Sequence, residues 1–312
     1  MKQRPFGSTG LTVSEVGFGA GHIGDGSMSE DEVGHLLNAL VDEGVTLFDT
    51  ARSYGLSEER IGRHLAHRRG EIVLSTKIGY GIDGYEDWTP EIIEPAVDRA
   101  LGMLRTDVLD IVHFHSCPLD VLQRGDVTAA LQRCVEKGKV RVAAYSGDNE
   151  AFDFAVRELA AVQTSINIVD QRAAEFLGSL GVPRSSSGGT ATPPRNSEEP
   201  EEPRGTALAV IAKRPLANAP WRFAERPHGH DAEEYWLRWK TIEHEIDRGG
   251  MSWDELALRF TLGVPGVHSA IVGSRNLDNM RANIAIASKG PLPEEIHRSV
   301  RQSFRTEWPG KI

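Results

Sequence analysis

Eight times along this chain a short apolar run is followed, directly or after a loop, by an amphipathic helical stretch. No other feature limits the fold as much. The runs lie near residues 15–19, 45–49, 72–76, 108–114, 140–145, 162–167, 207–212 and 269–272. Their short, β-rich character fits strands of a parallel sheet buried on both faces. Stretches such as "SEDEVGHLLNALVDEG" and "TPEIIEPAVDRALGMLR" supply the crossovers. In the first of these, Ser29 and Glu32 are spaced as a capping box, and Gly44 is placed to stop the helix. Eight strand–helix units in 312 residues predict the α/β class and a (β/α)8 TIM barrel. A doubly wound sheet with a second domain is the structural alternative, since the same alternation serves both. "RPFG" and "LTVS" around "STG" predict an N-terminal hairpin ahead of the barrel.

The chain is expected to form one domain, 1–312, with long loops at the C-terminal face of the barrel. Residues 181–205, "GVPRSSSGGTATPPRNSEEPEEPRG", are rich in Ser, Gly, Pro and Glu and almost free of apolar side chains. Such a segment cannot bury enough surface to offset its ordering entropy, which predicts a disordered insertion between the sixth helix and the seventh strand. A second long connection follows the seventh strand. It puts Trp221 and Phe223 in a loop at the face where barrel sites are built. Trp221 is therefore a candidate substrate contact, as is His22 in the loop after the first barrel strand.

The formal charge of −10 argues against a nucleic-acid partner, which needs clustered Lys and Arg. Cys117 and Cys134 are too few for a disulfide framework and are not spaced as a zinc site, so no metal is expected. Sparse cysteine fits a reduced, cytosolic setting. The first residues, "MKQRPFGSTGLTVSEVGFG", contain no signal-like apolar core. No window approaches the ~18 apolar residues of a membrane span. The expected location is the cytoplasm, and protein partners cannot be read from the sequence.

"GAGHIG", residues 19–24, has the spacing of a dinucleotide-binding fingerprint, and Asp49 ends the next apolar run. In that fingerprint the last glycine lies within the turn into the helix, so the helix N-terminus meets the pyrophosphate. Here "DGSM" intervenes before the cap at Ser29, which leaves the helix too far along. With 32 glycines in the chain a chance match is unsurprising. The motif reads as a Gly-rich barrel loop.

Four ionisable residues fall at or just beyond the ends of successive strands. Asp49 ends the second in "TLFDTARSYG", with Tyr54 in the loop after it; Lys77 ends the third, "IVLSTK"; His115 ends the fourth, "DIVHFH". A barrel brings those ends together. A phenol of pKa near ~10 is a poor acid at neutral pH. A neighbouring ammonium favours the phenolate and makes it a better one, while a carboxylate holds the ammonium in place. An imidazole completes a pocket for a carbonyl oxygen. The chemistry is carbonyl reduction, with Tyr54 giving a proton as hydride arrives from a donor. His113 shares a strand face with His115 but lies deeper, and is expected to be a packed interior histidine.

"FDTARSYG", "VLSTK", "LDIVHFH", "KGKVRVAAYS", "VQTSIN", "VIAKRPLANA" and "GSRNLDNMRAN", in this order, resemble an aldo-keto reductase over the whole chain apart from 181–205. The resemblance implies a barrel that binds NADPH across its C-terminal face and reduces aldehydes and ketones. Its Asp-Tyr-Lys-His tetrad falls on Asp49, Tyr54, Lys77 and His115. It places Ser146 and Gln163 at the nicotinamide carboxamide, with Lys213, Arg214, Pro215 and Leu216 along the cofactor wall. Gly273, Ser274, Arg275, Asn279 and Asn283 fall where the adenosine 2′-phosphate and adenine are held. The chain departs from the pattern at Gly147, where an Asn is usual, at Ile166, where a Tyr is common, and at Lys213, where an aromatic ring often stacks. A lysine is also missing at Gly273 and an arginine at Asn279, which leaves NAD possible beside NADP. Two other functions stay open: a cofactor-binding regulatory protein with weak or no catalysis, and a Schiff-base aldolase using Lys77.

Overall fold

The structure is a computed structural model that describes residues 1–148, 150–179 and 208–304. The insertion expected at 181–205 lies outside the described residues. Strands β1 (Gln3–Pro5) and β2 (Thr12–Ser14) form an antiparallel hairpin. The barrel strands are β3 (Val16–Gly19), β4 (Leu47–Asp49), β5 (Val73–Ile78), β6 (Leu109–His115), β7 (Val140–Ser146), β8 (Ala161–Ser165), β9 (Ala209–Lys213) and β10 (Val267–Val272). They pair in parallel in chain order, and β10 closes the ring onto β3. Closure excludes the doubly wound alternative, which would leave two sheet edges. All eight strands fall where the apolar runs predict them.

Helices fill the connections, among them α1 (Glu30–Asp42), α2 (Ser57–Leu65), α3 (Pro90–Leu104), α4 (Leu119–Arg124) and α5 (Asp126–Glu136). The capping box expected at the start of α1 is present: Ser29 Oγ accepts from the Glu32 N–H, and Glu32 accepts from the Ser29 N–H. After β7 come α6 (Glu150–Glu158), α7 (Arg172–Ser179), α8 (Glu233–Ile242), α9 (Trp253–Gly263), α10 (Leu277–Ser288) and α11 (Glu294–Ser303). Among the described residues no helix is long and apolar enough to cross a membrane.

Strand side chains alternate between faces, and this period sorts the barrel interior by height. Leu47, Val73, Ile111, Val142, Ala161 and Ala209 pack with hairpin residues Phe6 and Val13 in one apolar cluster. The hairpin thus plugs the floor. Phe6 and Val13 have no exposed surface, and burying each stabilises the closure by about 2 kcal/mol. Two or four residues further along the same strand faces stand Asp49, Ser75, Lys77, His113, His115, Ser146, Gln163 and Lys213. An apolar floor and a polar rim therefore come from one inward-facing series.

Candidate active site

Asp49 is 1% exposed and is held from three sides. Lys77 Nζ donates to its Oδ2 at 2.5 Å, Ser75 Oγ to its Oδ1 at 2.7 Å, and Gln163 Nε2 to Oδ1 at 2.9 Å. Burial opposes the carboxylate charge, but the Lys77 ammonium and the Ser75 hydrogen bond outweigh it and hold the carboxyl below its ordinary range. Lys77 also donates to the Thr50 carbonyl at 2.8 Å, and its ammonium lies 5.1 Å from the Tyr54 ring centroid. The His115 ring meets the Tyr54 ring edge-on at 5.9 Å. Burial, followed by the nearby Lys77 charge, pushes the His115 imidazole down to about 4, so it is neutral at physiological pH. Tyr54 and His115 open into a cleft of about 870 Å³ that Asp49 also reaches.

His113 is fully buried, within 3.0 Å of Ser75 Oγ, and burial pushes it down to about 3. It packs behind Asp49 as an interior residue, as its place on the strand predicts. The Tyr54 loop rests on "GAGHIG", whose residues 20–24 form a short 3-10 turn. The Leu56 N–H donates to the Gly24 carbonyl, and a β-carbon on Gly24 would overlap the Tyr54 carbonyl. Gly24 serves close backbone approach, and the next α-helix starts only at Glu30.

Residues 15–180 match the model of the aldo/keto reductase family, more than half of the chain. The chain belongs to the aldo/keto reductase family. It is 25% identical over 98% of both chains to the uncharacterized oxidoreductase YqkF of Bacillus subtilis. It is 34% identical, over 48% of this chain and 46% of the relative, to the NADP(+) aldo-keto reductase yakc of Schizosaccharomyces pombe. In fold it is similar to an aldo-keto reductase of Bacillus halodurans in its holo form, with a TM-score of 0.79 at 23% identity, covering 97% and 96% of the two chains. Membership makes the chain an oxidoreductase of carbonyl substrates with a nicotinamide cofactor and the (β/α)8 fold.

The family cleft gathers most of the expected cofactor residues. Ser146, Gln163, Lys213, Arg214, Pro215, Leu216, Gly273, Ser274, Asn279 and Asn283 all line it, with His22. Ser146 Oγ donates to Gln163 Oε1 at 2.8 Å, which leaves that amide a spare N–H and a spare lone pair. These polar groups, the adjoining cations and the glycines fit a nicotinamide dinucleotide. Arg275 does not line the cleft; its guanidinium binds Asp25 and Ser27 in the first barrel loop.

Trp221 is a correction. It does not line the cleft but stacks on Trp253 at 6.0 Å and donates from its indole to Asp254. The reason is the path of its loop: Arg214, Ala217, Asn218 and Ala219 all take left-handed backbone angles, and the following turn carries the indole back onto α9. Arg222 lines the cleft instead. Gly147 also has a cause here. The Tyr145 ring occupies the space above it, and any β-carbon would collide with the phenol.

Two residues were not found by sequence reasoning. Asp148 pairs with Lys213 at 2.9 Å and accepts from the Ser165 N–H. Burial disfavours its charge, yet Lys213 and that N–H hold it at about 2. Lys213 therefore belongs to an ion pair, which explains a charge where a ring is usual. Tyr80 lies 2.9 Å from His115 Nδ1 through its hydroxyl. The triplet "GYG" after β5 is its only signal in the sequence.

Proposed function

We propose that the chain reduces an aldehyde or ketone to the alcohol, using NADPH, with Tyr54 as the proton donor. The observation that carries the reading is Lys77: its ammonium lies 5.1 Å from the Tyr54 ring and is pinned by Asp49 at 2.5 Å. When bound, the dinucleotide supplies the hydride. The Tyr54 hydroxyl has no protein partner among the described residues, so it is available to the substrate oxygen. As it gives up its proton, the nearby ammonium stabilises the phenolate. Neutral His115 can hydrogen-bond the same oxygen without taking the proton. Ser146 and Gln163 would hold the carboxamide, Lys213, Arg214, Pro215 and Leu216 the middle of the cofactor, and Gly273, Ser274, Asn279 and Asn283 its adenosine end. His22 would border the substrate.

Tyr54→Phe should lower kcat for aldehyde reduction at least about a hundredfold while NADPH affinity stays near wild type. Unchanged turnover would end the proton-donor assignment. NADPH should raise the melting temperature more than NADH. Equal stabilisation by both would count against NADP.

A regulatory reading has its own support in the Tyr145–Gly147 and Asp148–Lys213 arrangements, which alter the nicotinamide surroundings. Tight NADPH binding without turnover on a broad aldehyde panel would favour it. The aldolase reading loses ground, because a Schiff base needs an uncharged, accessible amine and Lys77 is 2% exposed in a buried ion pair.

A further inference from the structure

We propose that Tyr80 is a positioning residue that locks His115 as the Nε2–H tautomer, so that its one N–H is aimed at the reacting oxygen. Tyr80 is held between two rings. Trp88 lies 5.7 Å away at 56°, and His115 lies 5.7 Å away at 25°, close to parallel. Trp88 is fixed in turn by Gly79, whose carbonyl accepts from the Trp88 N–H at 2.8 Å. Gly79 has φ of +127°, and a β-carbon there would overlap the indole. The stack therefore sets where the Tyr80 hydroxyl points before any ligand arrives.

That hydroxyl has two neighbours: His115 Nδ1 at 2.9 Å and Ser53 Oγ at 3.2 Å. Two complete patterns are possible. In one, His115 donates from Nδ1 to Tyr80, and Tyr80 donates to Ser53; Nε2 is then a bare acceptor. In the other, Ser53 donates to Tyr80, and Tyr80 donates to Nδ1; Nε2 then carries the hydrogen. A phenol is a stronger donor than an aliphatic hydroxyl, and an imidazole nitrogen a stronger acceptor than a serine oxygen. The shorter of the two distances is also the one to nitrogen. The second pattern wins. Nε2 has no protein partner among the described residues, and His115 borders the cleft beside Tyr54. Tyr80 itself does not line that cleft, so its effect on the reaction runs through His115. The inference deepens the proposed reduction and rests on it only for the identity of the oxygen that Nε2–H meets.

Nitrogen–proton correlation spectra of the histidine side chains in the full chain test the lock without requiring turnover. The His115 signals are assigned by their loss in His115→Gln. Wild type should show a single Nε2–H tautomer, Ser53→Ala should keep it, and Tyr80→Phe should give a mixture with Nδ1–H while preserving the stack. In Tyr80→Phe, kcat for an aldehyde should fall about five- to tenfold, the shift one lost hydrogen bond supports, with the KM for NADPH unchanged. An Nδ1–H tautomer in wild type overturns the proposal, and so does an unchanged tautomer in Tyr80→Phe. If wild type shows the Nε2–H form but reduces no carbonyl, the lock stands and the proposed reaction fails.

Discussion

Gly24 passes so close beneath Tyr54 that the carbonyl oxygen of Tyr54 occupies the place a β-carbon on residue 24 would need. The contact is reinforced on the other side, where the Leu56 N–H donates to the Gly24 carbonyl at 3.1 Å. Two loops from neighbouring strands are thus locked at the point that presents the phenol.

Gly24→Ala must push the Tyr54 loop outward. It should cost about 1–3 kcal/mol of stability and lower kcat along with it. Gly26→Ala, two residues on and with open space around it, should leave both unchanged within error. Urea melts and steady-state rates on the pair check the point.

Acid should weaken the fold well before the carboxylates titrate. Burial lowers His113 to about 3 and His115 and His268 to about 4, against about 6.5 in an unfolded chain. Between those values the unfolded state binds more protons than the folded one. The stability from keeping these rings neutral is complete above about pH 6.5 and is lost as pH falls toward 4, on the order of several kcal/mol in total. Asp49, whose folded pKa is depressed, gives up its share only below the ordinary carboxylate range. Urea midpoints should fall from pH 7 to pH 4.5, and His268→Gln should flatten that slope. A level profile would contradict the burial of these rings.

Gly147→Asn restores the side chain usual in the family, but here it collides with the Tyr145 phenol. It should destabilise the fold by about 1–3 kcal/mol. Tyr145→Ala alone leaves a cavity. The double variant should be more stable than the sum of the two changes predicts, with a coupling of about 1 kcal/mol or more from urea melts of all four proteins. Additive losses would mean that the two side chains do not compete for one space.

What the sequence discloses follows from period and position. Asp49, Lys77 and His115 are legible because a strand repeats its facing every two residues and a barrel gathers strand ends, so three chain positions become one rim. The hairpin and all eight strands are legible for similar reasons. Tyr80 and Asp148 are not, because each acts through a loop whose course depends on a distant partner: Trp88 seated on Gly79 for one, Lys213 on β9 for the other. Trp221 shows the same limit in reverse. A loop at the correct end of the barrel is necessary for a side chain to meet a ligand, but four left-handed residues around it send this indole elsewhere.

Because Phe6 and Val13 stopper the lower end, the barrel is a vessel with a single mouth. Whatever reaches Asp49 must come in, and go out, through the cleft at the polar rim.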